Sequence, residues 1–189
     1  MFPPLAPQRL GRRAIPATLL RRVHYKGRRF HYLYALRHHP EYRERYAANL
    51  KRELPRIPFA PDFAAFATPG RELARLHVHY ESLDPWPLEE IVTQNVPYSE
   101  RVVKMKLSDD KLSLKVNESL TLGGIPPEAF DYRLGSRSAL EWVIDQYQVK
   151  GESDPNREDD PSYMVHLIGQ VVRVSVETAG IVKTLPNFR

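Results

Sequence analysis

Residues 100–122 break the rhythm of the rest of the chain, and no other feature constrains its fold as much. "RVVKMKL" alternates apolar and polar residues, "KLSLKV" does so again, and "SDDK" between them is a short polar turn. A period of two is that of a half-buried strand. "ESLTL", just before Gly123–Gly124, adds a third short strand. On both sides of this segment apolar residues recur at three- and four-residue steps, as on the buried face of a helix. The reading is an α+β fold: helices from both ends of the chain packed around a small antiparallel sheet at about residues 100–122.

Prolines set where the helices begin and end. Residues 28–54 read as helix, with Phe30, Leu33, Tyr34 and Ala35–Leu36 as an apolar stripe that Pro40 interrupts. Proline lacks the N–H that a helix interior needs but suits a first turn. One helix therefore ends near His38, and another starts at Pro40. The second carries Tyr42, Tyr46, Leu50 and Leu54 at helical spacing until Pro55, Pro58 and Pro61 stop it. Within residues 62–82, Thr68 is placed to cap a helix and Pro69 to open it, with Leu73, Leu76 and Tyr80 following. "DPWP", residues 84–87, is a turn. Ser138 and Glu141 have the spacing of a capping box, in which each side chain satisfies the other residue's free N–H. Residues 162–184 fit a long helix through Met164, Leu167, Ile168 and Val171, although "VVRVSVE" alternates; about twenty residues are too many for an ordinary strand. Residues 1–27, with four prolines and paired arginines, read as an irregular basic N-terminal arm, and 28–186 as the domain.

Charge is distributed unevenly. Residues 1–58 hold 14 Lys/Arg against 3 Asp/Glu, a balance of +11, whereas the remainder holds 14 against 20, a balance of −6. A basic third joined to a mildly acidic body suits a polyanionic partner for the first part. Cysteine is absent, which excludes disulfides and thiolate metal sites and fits a reducing cytoplasm. No uninterrupted apolar run approaches the ~20 residues that span a bilayer, and the prolines of "MFPPLAPQRLGRR" do not suit a signal peptide. The expectation is a cytoplasmic protein with no membrane partner.

Motifs of catalysis are missing. There is no phosphate-binding Gly-rich loop, no G-x-S-x-G and no dinucleotide fingerprint. Neither Pro3–Pro4 nor Pro126–Pro127 has the flanking residues with which an amino-methyltransferase grips a flipped base. Among the 7 histidines, His38–His39 and His77-x-His79 lack the i, i+4 spacing of helical metal ligands, so structural roles are expected and no metal or cofactor. Glu141 and Asp145 share a helix face, but the capping box already occupies Glu141. Tyr42, Tyr46, Trp142 and Tyr147 fall at helical period and read as core rather than as stacking platforms. No catalytic residue is assigned.

Two long blocks carry a family likeness: "PEYRERYAANLKRELPRIPFAPDFAAFATPGRELARLHVHYE", residues 40–81, and "ESLTLGGIPPEAFDYRLGSRSALEWVIDQYQVK", residues 118–150, with "VSVETAGIVKTLP" near the end. Together they resemble the C-terminal specificity, or target-recognition, region of type ISP restriction–modification enzymes, over about residues 30–186. These are single polypeptides of bacterial defence, with nuclease, translocase, adenine methyltransferase and target-recognition parts. The resemblance implies a DNA-binding module with double-stranded DNA and a methyltransferase–translocase body as partners, and no enzyme activity of its own. A start codon just ahead of such a region suggests a truncated or split gene. For phosphate contact the expected residues are Arg43, Arg45, Lys51, Arg52 and Arg56, on or just after one helix, where cations can track a duplex backbone. Arg133 and Arg137 are candidates for base or backbone contact. Two alternatives stay open: a non-catalytic docking or scaffold piece, and a remnant of such an enzyme.

Overall fold

His39 leaves helical geometry (φ −66°, ψ 125°) because the ring of Pro40 crowds the α conformation of the residue before it. That one residue separates α1 (Ala17–His38) from α2 (Pro40–Arg45), with Pro40 in the first turn of α2. The computed structural model describes residues 17–50, 57–60 and 62–187. Both boundaries at Pro40 follow the sequence pattern, but the far ends differ. α1 starts at Ala17, not at 28, and runs through Gly27, at a cost in a helix of about 1 kcal/mol. The second helix does not run unbroken to Leu54. It stops at Tyr46 and resumes as α3 (Ala47–Leu50).

α4 (Phe63–Val78) is capped by Asp62, whose Oδ1 accepts the N–H groups of Ala64 at 2.9 Å and Ala65 at 3.0 Å. The expected cap at Thr68 and start at Pro69 are therefore corrected, since Pro69 lies inside the helix. The turn before it is held by packing: Phe66 and Ala67 are buried with Tyr32, Ala35 and Leu36 of α1, and Tyr32 stacks on Phe63 at 4.8 Å. Gly70 makes the crossing possible. A Cβ there would lie 1.8 Å from the carbonyl oxygen of His31.

The sheet has four antiparallel strands in the order β1-β4-β3-β2: β1 (Glu89–Val92), β2 (Lys106–Leu107), β3 (Leu114–Lys115) and β4 (Leu120–Gly123). Leu114 pairs with Leu122, Lys115 with Lys106, and Ile91 with Thr121. β1 is a strand the sequence does not announce. All four of its residues are exposed, so no alternation marks it. Conversely, most of "RVVKMKL" keeps its buried positions, Val102 and Met105, without strand partners. Side-chain amides take the place of a neighbouring strand there. Asn156 Oδ1 accepts the Val102 N–H at 2.7 Å while its Nδ2 donates to the Val102 carbonyl, and Gln148 does the same at Met105. Such pairing satisfies buried backbone groups as a ladder would.

A two-stranded ribbon, β5 (Arg133–Leu134) and β6 (Arg137–Ser138), leads into α5 (Ala139–Gln146). Ser138 and Glu141 form the expected capping box. α6 (Tyr163–Lys183) is the long helix expected of the last segment. By length and composition alone α6 could cross a membrane. Its apolar side, from Met164 through Leu167, Ile168 and Val172, is instead packed into the core with the sheet and α5. A second core joins α1, α2 and α4 around Tyr32, Leu36, Tyr42 and Phe66. The C-terminal part of α6 and the residues after it connect the two: Thr178 bonds to His77, and the Pro186 carbonyl lies 3.1 Å from His39 Nε2.

Candidate functional site

Arg43 and Arg133 are ninety residues apart in sequence, yet both line one open cleft of about 410 Å3, together with Lys183 at the end of α6. α2 supplies Arg43 from its exposed side, with Tyr42 turned into the core. β5 supplies Arg133, whose guanidinium also donates to the Ser136 carbonyl. Among the described residues neither arginine has an ion-pair partner, and the cleft's one carboxylate, Asp131, stands 4.0 Å from Lys183. Three cations therefore face one anion, and the cleft is electropositive.

His38 and Tyr132 on its wall belong to a cluster of rings that continues behind it to His77. His77 stacks on Tyr132 at 4.9 Å and 18°, and His38 lies 5.3 Å from His77. His77 is held at both nitrogens, Nδ1 by the Tyr34 hydroxyl at 2.7 Å and Nε2 by Thr178 Oγ1 at 2.8 Å. Either neutral tautomer suits both hydroxyls, which can donate or accept. Burial first, and His38 second, pull the His77 pKa down to about 4. Burial also lowers that of His38, with Arg43 and Arg37 adding to the effect, so both rings are neutral at pH 7. The Tyr132 hydroxyl is pushed up to about 12 by burial and stays protonated. His77 thus ties α4 to α1 and α6 through its two nitrogens.

The other expected contact residues are dispersed. Arg45 is exposed, with its guanidinium 5.9 Å from the centre of the Tyr46 ring, and does not line the cleft. Arg137 pairs with Asp145 at 2.7 Å. Lys51, Arg52 and Arg56 lie outside the described residues. Glu141 is taken up by Lys111 at 2.8 Å and by the capping box, which in that order hold its carboxyl down at about 2. Among the described residues there is no cluster of three or more potential metal ligands.

Of the four aromatic residues expected in the core, Tyr42 is fully buried but Trp142 is 44% exposed. Trp142 and Tyr147 line a second, largely apolar cavity of about 200 Å3 with Tyr80, and Tyr132 lines both this cavity and the cationic cleft. Sequence reasoning missed Lys183 and Tyr132 as site residues. Lys183 looks like an ordinary helix-end cation, and nothing local to Tyr132 announces that two cavities meet at it.

Over residues 21–168 the sequence matches the type ISP C-terminal specificity domain. The chain belongs to that family. Three solved structures are similar to this specificity domain. A nuclease-deletion mutant of the type ISP restriction–modification enzyme LlaGI, in complex with a DNA substrate mimic, is 37% identical with a TM-score of 0.78, over 86% of this chain and 16% of that one. The ATP-dependent type ISP enzyme LlaBIII, bound to DNA, is 31% identical with a TM-score of 0.78, over 93% and 12%. The DrdV–DNA complex is 35% identical with a TM-score of 0.71, over 91% and 20%. The specificity domain thus spans between about an eighth and a fifth of these longer chains. Among curated proteins no match is found.

Proposed function

We propose that this chain is the DNA target-recognition module of a type ISP restriction–modification system. Its partners in this reading are double-stranded DNA and the methyltransferase–translocase body of the same system, and its place is inside the cell. Membership of the specificity family supports the reading, as do similar structures determined with DNA. The observation that carries it to particular residues is the convergence of Arg43, Arg133 and Lys183 on one open cleft. Guanidinium groups match phosphate oxygens in geometry and charge. Arg45, Lys51, Arg52 and Arg56 are proposed as further backbone contacts, and Arg137 as a contact released from Asp145 when DNA is present. No catalytic role is proposed for the chain.

The test is fluorescence anisotropy of the full chain with a duplex pool of random sequence. Binding that weakens with salt and retains a sequence-selected fraction is expected. Arg43→Glu should weaken binding about ten-fold or more, because it replaces a phosphate contact by a repulsion, while the circular-dichroism spectrum stays unchanged. An affinity equal to that of the unmodified chain removes Arg43 from the interface.

A second reading has its own observation. Phe59 is 94% exposed and Ile57 49% exposed, and both line a groove with Tyr32, Leu33 and Phe63. Exposed apolar surface of this kind marks contact with another protein surface. In this reading the chain docks on the enzyme body through the groove while the body makes the DNA contacts. Aggregation of the isolated chain that the body fragment relieves, with no DNA binding by the chain alone, would favour docking.

A further inference from the structure

Tyr132 belongs to two cavities that differ in charge. On one side is the cationic cleft of Arg43, Arg133 and Lys183. On the other is the aromatic cavity of Tyr80, Trp142 and Tyr147, with Leu134 at its edge. The aromatic cavity has about 200 Å3, below the ~300 Å3 at which sites for drug-sized molecules begin. A space of that size suits a single flat ring system. Its aromatic walls come from two places, Trp142 and Tyr147 from α5 and its C-terminal cap and Tyr80 from the turn after α4, while Leu167 and Val171 of α6 close it from the core side. Trp142 and Tyr147 meet edge to face, with 6.5 Å between ring centres. Both Trp142 and Leu134 are exposed apolar side chains at the cavity, at 44% and 48%, so the cavity opens to solvent.

An anion site beside a flat aromatic site has the chemistry of a nucleotide. Arginine and lysine hold a phosphate, and aromatic side chains receive a base by stacking, which tolerates any base because each presents a π-face. A base in a duplex is stacked and paired, so only an unpaired base can enter. The positive field reaches the shared wall, since the Arg43 charge acts on both His38 and Tyr132.

We propose that the two cavities form one nucleotide site, in which Arg43, Arg133 and Lys183 hold a backbone phosphate and the cavity of Tyr80, Tyr132, Trp142 and Tyr147 receives an unpaired base. The inference rests on the proposed DNA reading and goes beyond it, because phosphate contact alone requires no aromatic cavity. It also assigns a function to Trp142, the one ring of the four expected core aromatics that is open to solvent by more than a third.

Trp142 reports on its own occupancy. The chain has two tryptophans, and Trp86→Phe leaves Trp142 as the only one. The full-length Trp86→Phe chain, its fold checked by circular dichroism, is titrated with three DNAs of the same sequence: a fully paired duplex, the duplex with one extra unpaired nucleotide, and the duplex with an abasic unit in place of that nucleotide. The bulged duplex is expected to bind about five-fold tighter or more than the paired one and to quench Trp142 emission. The abasic form should lose both effects, and Trp142→Ala should lose the preference for the bulge. Equal affinities for the three DNAs with unquenched Trp142 overturn the nucleotide site and leave the DNA reading standing. No binding to any of the three overturns the DNA reading and the site with it. Quenching by the enzyme body and by none of the DNAs overturns the site in favour of a docking pocket.

Discussion

His77 sits where α1, α4, α6 and the segment before β5 come together, and its protonation state is tied to that junction. Tyr34 approaches from α1, Thr178 from α6, and Tyr132 stacks on the ring. Burial holds the folded-state pKa down at about 4, whereas an unfolded histidine titrates near 6.5. Between these values the unfolded chain binds more protons than the folded one. The stability that neutral His77 contributes is therefore complete above pH 6.5 and is lost as pH falls toward about 4. His38 shifts in the same direction and adds to the loss. Glu141, lowered from 4.5 to about 2, adds its own loss only from about pH 4.5 downward, at the lower edge of this window. The melting temperature should fall from pH 6.5 downward, and His77→Phe, which keeps a ring against Tyr132 but has nothing to protonate, should fall less. Equal losses in the two proteins would remove His77 as the source. The lack of ligand spacing around this histidine was legible in sequence. Its partners were not, because Thr178 and Tyr132 come from segments more than fifty residues away.

At the scale of elements, legibility followed how local each determinant is. The break at Pro40 and the capping box of Ser138 and Glu141 depend on residues one to three positions apart, and both appear as read. Pro69 misled because its usual place at a helix start competes with an Asp62 cap about two turns earlier, and packing on α1 decides for Asp62. β1 exists through its pairing with β4 rather than through its own pattern, and Val102 and Met105 have amide side chains where a strand was expected. The α1–α4 crossing gives a sharp test. Gly70→Ala in an isolated helix would stabilise by about 1 kcal/mol. Here the new methyl meets the His31 carbonyl at 1.8 Å and Ala35 Cβ at 3.1 Å, and a backbone oxygen cannot swing aside as a side chain can. Overpacking of this kind costs about 1–3 kcal/mol or more, so the clash outweighs the gain. Urea denaturation should show Gly70→Ala less stable than the unmodified chain, and equal or greater stability would mean that the helices separate freely.

Over the whole molecule, the α+β reading survives, but the sheet is not simply wrapped by helices from both ends. α6 and α5 cover it, while α1, α2 and α4 build a second core that reaches the first mainly through α6. The basic third of the chain thus brings its own small core to the side of the sheet domain, and one of its arginines, Arg43, meets Arg133 and Lys183 from the acidic body. The charge imbalance was visible in the composition. The cleft was not, because it depends on how the two cores join. The proposed interface makes a quantitative demand at this scale. Each phosphate neutralised on duplex DNA contributes about −0.9 to the slope of log Kobs against log salt. The five cations proposed along and after α2, namely Arg43, Arg45, Lys51, Arg52 and Arg56, each on its own phosphate, would give about −4.5, and Arg133 and Lys183 leave it there because they share the phosphate held by Arg43. Replacing Arg43 and Arg45 by Glu together should make the slope shallower by about 2, because two contacts are lost. A diffuse attraction to the basic third as a whole predicts something else: lower affinity in the double variant with a slope almost unchanged. Anisotropy titrations of both proteins across a salt series separate the two cases, and an unchanged slope would transfer the contact surface from α2 to the rest of the chain's positive charge.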